Sequence, residues 1–99
     1  MQNIFTPNTN DLNSEQFDIL LEKTNIQIQK ITSHGQVSDK WYEQDRDEWV
    51  VLIEGEGIVR FEDGKELHLK KGEHLHIPKR QKHKVVYTAS PTIWLAIHF

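Results

Sequence analysis

Residues 35–55, GQVSDKWYEQDRDEWVVLIEG, and residues 72–83, GEHLHIPKRQKH, carry most of what this chain discloses about its fold. In the first stretch, Glu48 to Glu54 sets Trp49, Val51 and Ile53 on one face of an extended chain and Val50 and Leu52 on the other, the pattern of a strand buried on two sides. Trp41 to Glu43 reads as a shorter strand ahead of it, with Asp45-Arg46-Asp47 as a polar turn between them. In the second stretch, Gly72 turns the chain and His74 to Ile77 forms a strand. Pro78 ends that strand, because proline cannot donate to a ladder.

The same punctuation continues on either side. Gly57 to Glu62 and Lys65 to Leu69 flank Asp63-Gly64, a hairpin signal. His83 to Tyr87 and Thr92 to Phe99 are strands separated by Ala89-Ser90-Pro91, and Ile26 and Ile28 alternate with Gln27 and Gln29 at strand period. Upstream, Asn-rich residues 1–13, with Pro7, read as an irregular arm that Ile4 and Phe5 anchor. Ser14 reads as an N-cap, Glu15 and Asp18 suit the positive end of a helix, and Phe17, Leu20 and Leu21 recur at helical spacing. A short helix over residues 14–23 is the expectation. Short strands with frequent turns and one helix predict an all-β domain, either a barrel or two packed sheets, over residues 26–99.

Composition narrows the functions. With 99 residues the chain makes one domain, and 28 of them are Leu, Ile, Val or Phe, enough for a packed core. A net charge of −3 gives no general attraction to nucleic acid or anionic membrane. The basic run Lys79 to Lys84 lacks interleaved aromatic residues for base stacking. There is no cysteine, which removes disulfides, thiolate metal sites and a Cys nucleophile together. The longest apolar run, Val50 to Ile53, is far short of a membrane span, and the amino terminus has no signal-peptide pattern. A cytoplasmic protein without nucleic-acid or membrane partners is expected. No Ser-His-Asp ordering, Walker loop or dinucleotide fingerprint is present.

The spacing Gly35-x5-Trp41-x-Glu43-x4-Glu48-x6-Gly55, followed by Gly72-x5-Pro78-x4-His83, resembles the two signature motifs of the cupin superfamily. The resemblance implies a double-stranded β-helix, or jelly-roll, barrel. It also implies a first motif supplying His-x-His and a Glu, and a second supplying a His. Here Trp41 and Glu43 stand where the two histidines belong, or Tyr42 and Gln44 if the spacer is one residue shorter. Glu48 and His83 match by residue type in either register. Arg80 stands at a second-motif position usually held by glycine, and Tyr87 at one usually held by asparagine.

Carried onto these residues, the resemblance gives Glu43, Glu48 and His83 as metal ligands. This oxygen-rich set with one imidazole suits Mn²⁺ or Fe²⁺ best, with Ni²⁺ and Zn²⁺ as further candidates. Trp41, an N–H donor that cannot ligate through nitrogen, would instead wall a small-molecule cavity, together with Gln44. His98 shares a face with Trp94 and Ala96, so His98 and Tyr42 are the acid/base candidates. His74 and His76 share a face opposite Leu75 and Ile77, which supply the core side, and are expected to lie outside. The resemblance also implies a homodimer. A metal-dependent enzyme, a metal-free binding module and an interaction scaffold all remain open on sequence grounds.

Overall fold

A computed structural model describes all 99 residues. It contains eight strands and no helix: β1 (Gln16–Lys23), β2 (Ile26–Ser33), β3 (Glu48–Glu54), β4 (Glu56–Phe61), β5 (Glu66–Lys70), β6 (His74–Ile77), β7 (His83–Thr88) and β8 (Thr92–His98). They form a five-stranded sheet in the order β1-β2-β8-β3-β6 and a three-stranded sheet in the order β5-β4-β7, with every pairing antiparallel. The jelly-roll class is as expected, but the barrel is not closed. The molecule is a sandwich of two separate sheets.

The helix expected over residues 14–23 is absent, and β1 occupies most of that segment. Lys23 pairs with Ile26, so Thr24 and Asn25 form a two-residue hairpin connection between β1 and β2. The helical reading passed over Ile19. Phe17, Ile19 and Leu21 also alternate at strand period, with Leu20 taken up where the register slips between Ile19 and Leu21. A helix of ten residues is marginal without a docked face. Leu20 is 44% exposed, so no such face exists.

The core lies between the sheets. Val50 and Leu52 of β3 and Trp94 and Ala96 of β8 meet Val59 and Phe61 of β4, with Leu69 and Ile77 completing the cluster. The outward face of β3 (Trp49, Val51, Ile53) is only half-buried. The Trp94 ring lies directly over Gly57. A Cβ there would stand 2.2 Å from Trp94 Cζ2, so the closure tolerates no side chain at this position. Asp63-Gly64 forms the β4–β5 turn as read, with Gly64 at φ 90°. On the outside, Lys30 of β2 donates to the Thr6 carbonyl, and Asn8 donates to Asp18, which fastens the arm to the large sheet.

Candidate functional site

A cavity of about 110 Å³ opens between the sheets at the end where β3 begins and β8 ends. Its polar floor follows from register. Glu48 and His98 are direct cross-strand partners on β3 and β8, and reciprocal backbone hydrogen bonds between Asp47 and Phe99 pin the strand ends together. His83, the first residue of β7, reaches in from the opposite sheet. Glu48 Oε1 lies 3.6 Å from His83 Nε2 and 3.6 Å from His98 Nε2. Glu48 and His83 are buried, at 7% and 6% exposure.

At 3.6 Å these contacts are longer than hydrogen bonds and act through charge on the imidazoles. Glu48 Oε1 and His98 Nε2 are left buried with no hydrogen-bond partner. Burial opposes ionisation of Glu48, but its attraction to His83 and His98 wins and holds the carboxyl down at about 2. Burial likewise works against the His83 cation. The Glu48 carboxylate and the Gln81 carbonyl outweigh it and push His83 above its ordinary value. His83 Nδ1 lies 3.0 Å from that carbonyl and donates to it, which leaves Nε2 aimed at Glu48.

The structure selects between the two motif registers. Tyr42 and His83 exchange backbone hydrogen bonds of 2.8 and 3.0 Å, and Tyr42 and Gln44 both line the cavity. Trp41 lies outside it, half-exposed, beneath the Lys84 ammonium at 4.6 Å from the ring centre. Glu43 lies in a separate surface groove beside Glu62, Arg80 and Lys82. Of the residues singled out from sequence, Glu48, His83, His98, Tyr42 and Gln44 are therefore gathered at one cavity, and Trp41 and Glu43 are not. Arg80 adopts φ 70°, the left-handed region that glycine enters freely, which accounts for the glycine usually found there. His74 and His76 are exposed on the outer face. The His74 ring lies tilted against Trp49, 5.4 Å between centroids, and His76 lies 2.9 Å from Asp47.

One cavity residue escaped the sequence reading. Glu15, treated there as part of a helix start, lines the pocket just ahead of β1 and accepts a hydrogen bond from the Ser33 hydroxyl. Burial raises its pKa, and the Ser33 bond only partly offsets that. The Tyr42 hydroxyl is also pushed up, first by burial and then by the charges of Glu15 and Asp39.

As placed, no group of three or more His, Asp or Glu side chains could hold a metal ion. Glu48, His83 and His98 do bring to one cavity the donor types that a divalent cation takes. They offer one carboxylate and two imidazoles, and two of their inward-facing polar atoms lack a hydrogen-bond partner.

The comparisons agree with this architecture. The sequence matches the cupin domain family over residues 30–98, and the chain belongs to that family. A Ralstonia eutropha protein provisionally named a mannose-6-phosphate isomerase is 33% identical, with a TM-score of 0.86 over 99% of this chain and 95% of that one. A cupin-2 domain containing protein of Shewanella frigidimarina is 25% identical, with a TM-score of 0.70 over 83% of this chain and 78% of that one. A cupin superfamily protein of Desulfitobacterium hafniense shares the fold at 19% identity, with a TM-score of 0.80 over 90% and 80% of the two chains. No protein of curated function matches the sequence at a significant level. No helix is long and apolar enough to cross a membrane.

Proposed function

We propose that the cavity binds a small molecule whose polar group sits against Glu48, His83 and His98. The observation that carries this reading is the pair of buried polar atoms without a hydrogen-bond partner, Glu48 Oε1 and His98 Nε2, at a cavity whose apolar walls include Val50, Val59, Val85 and Trp94. Buried polar atoms without partners are rare in native proteins, and a ligand group supplies what they lack. At about 110 Å³ the space lies below the roughly 300–1,000 Å³ of drug-sized pockets, so the ligand has only a few heavy atoms.

Glu48, His83 and His98 are also the residues that would hold a divalent cation of the Mn²⁺, Fe²⁺, Ni²⁺ or Zn²⁺ type. Such a cation would polarise a carbonyl or hydroxyl of the ligand. The chain's own part is charge and hydrogen bonding. In the metal-free protein Glu48 stays ionised as a fixed anion, too weak a base at about 2 to take a proton near neutral pH. His83 is oriented by the Gln81 carbonyl and holds a proton at Nε2, and the Tyr42 hydroxyl stands at the cavity wall. Hydrogen bonding to a carbonyl or hydroxyl oxygen of the ligand is the chemistry this set supports, and a carbonyl-bearing ligand also suits the isomerase name of the Ralstonia eutropha relative. A phosphorylated sugar is a poor fit, because no Lys or Arg lines the cavity to hold the phosphate. Metal content of untagged protein and of Glu48→Gln tests the cation. Close to one divalent ion per wild-type chain, lost in the variant, is expected. No uptake even after Mn²⁺, Fe²⁺, Ni²⁺ or Zn²⁺ is supplied would leave the trio as a metal-free site.

A homodimer belongs to this reading. The five-stranded sheet is wider than its three-stranded partner, so β1 overhangs with Phe17 and Ile19 at 52% and 56% exposure, and its outer edge is unpaired. A second copy laid against β1 covers both. Sedimentation equilibrium is expected to give twice the 11.7 kDa chain mass, and a concentration-independent monomer contradicts it.

A further inference from the structure

Glu15 gives the cavity a second polar pole, distinct from the Glu48 trio. Its carboxylate Oε2 accepts the Ser33 hydroxyl, while Oε1 receives no hydrogen bond from the protein. Between the poles lie apolar walls, including Phe17, Ile31, Val59 and Trp94. No Lys or Arg lines the cavity, and its two imidazoles, His83 and His98, both stand against Glu48. A ligand reaching the Glu15 end meets a carboxylate there with no cationic side chain beside it.

We infer that Glu15 selects the ligand: a short, uncharged molecule with its carbonyl or hydroxyl at the Glu48 trio and a hydrogen-bond donor at the Glu15 end, rather than a carboxylate or phosphate. This inference rests on the small-molecule reading above. A hydroxyl donating to Glu15 Oε1 makes a charge-assisted bond at a half-buried site. An anion at the same place faces like charge that solvent screens only in part, so rejection and attraction work in the same direction.

Three small probes separate the terms: butan-2-one, 4-hydroxybutan-2-one and acetoacetate, which share a methyl ketone and differ at the far end. Binding to metal-free protein at pH 8 is read by NMR titration of wild type and of Glu15→Gln, the variant being checked for a wild-type-like spectrum. The wild type is expected to prefer the hydroxyketone to acetoacetate by about tenfold or more, the scale of one charge-assisted hydrogen bond. In Glu15→Gln the ratio should fall to within about threefold, mainly because acetoacetate gains. In the wild type alone, the Glu15 side-chain carboxyl resonance should move with the hydroxyketone and not with butan-2-one, a readout that needs no variant. If butan-2-one binds and the hydroxyketone binds no better, or if the ratio is unchanged in Glu15→Gln, the role of Glu15 is overturned and the cavity reading stands. If none of the three binds, both fall.

Discussion

Glu15 and Glu48 line the same cavity and are shifted in opposite directions. The more deeply buried of the two, Glu48, is the one held at about 2, while Glu15, half-buried, is raised. Burial raises both carboxyls, so depth alone would order them the other way. The difference lies in partners. Glu48 faces two imidazoles at 3.6 Å, whereas the polar group bonded to Glu15 is the neutral Ser33 hydroxyl. In this cavity a neighbour's charge decides the state of a carboxyl, and that division gives the site one fixed anion and one adjustable one.

The largest expected effect comes from removing the anion. The fall of Glu48 from 4.5 to about 2 corresponds to about 3 kcal/mol, an upper figure that already includes the His83 side of the pair. Glu48→Gln should therefore destabilise the metal-free protein by about 2–3 kcal/mol in denaturant unfolding near pH 6. A loss below about 0.5 kcal/mol would mean that the imidazoles do not hold the carboxylate.

That loss should depend on pH at both ends. Glu48 is lowered in the folded state, so its contribution is present above pH 4.5 and disappears as pH falls toward about 2. His83 is raised, so its contribution is complete below pH 6.5 and is lost as pH climbs through its folded value. The stability difference between wild type and Glu48→Gln should be widest between about pH 4.5 and 6.5 and shrink on either side. A difference that keeps growing up to pH 9 contradicts the pairing with His83.

Glu15 should behave with the opposite sign. Its raised pKa means that the folded state disfavours its charge, a penalty absent at low pH that sets in as pH rises through the folded value. Glu15→Gln should leave stability unchanged at low pH, where Glu15 is protonated, and stabilise the protein at pH 8, since the amide keeps the Ser33 bond without the half-buried charge. Destabilisation at pH 8 would show that Glu15 has a cationic partner after all.

The smallest effect is expected at Leu20. Half-exposed at the register slip of β1, it should cost less than about 0.5 kcal/mol when changed to Ala. A docked helix would make the same change cost about 2–5 kcal/mol.

Legibility followed the same divide. Central strands announce themselves, because β3 and β8 bury one face of every alternate residue. The parity that placed Trp94, Ala96 and His98 together also delivered His98 to Glu48. Glu48 and His83 were readable because both motif registers give them the same place, Glu48 at the head of the most apolar strand and His83 five residues after Pro78. The choice between Trp41 and Tyr42 was not readable, since the irregular segment before Glu48 takes its register from a contact with His83 distant in sequence. Trp41 looked like a cavity wall because indole is large and apolar, yet a stack beneath Lys84 satisfies it at the surface. Glu15 was lost with β1. An edge strand with one uncovered face shows weak alternation, and three apolar residues also fit a helical stripe. Counting Phe17, Ile19 and Leu21 as a strand puts Glu15 in phase with Phe17, which is the signal that would have found it.

The most direct test is a carbon-detected NMR titration of the glutamate side-chain carboxyls in metal-free protein from pH 2 to 9. The account predicts two outliers on opposite sides of 4.5: Glu48 remaining ionised down to about pH 2, and Glu15 keeping its proton above the ordinary range. Both carboxyls titrating together near 4.5 would contradict it, leaving a cavity with no fixed charge.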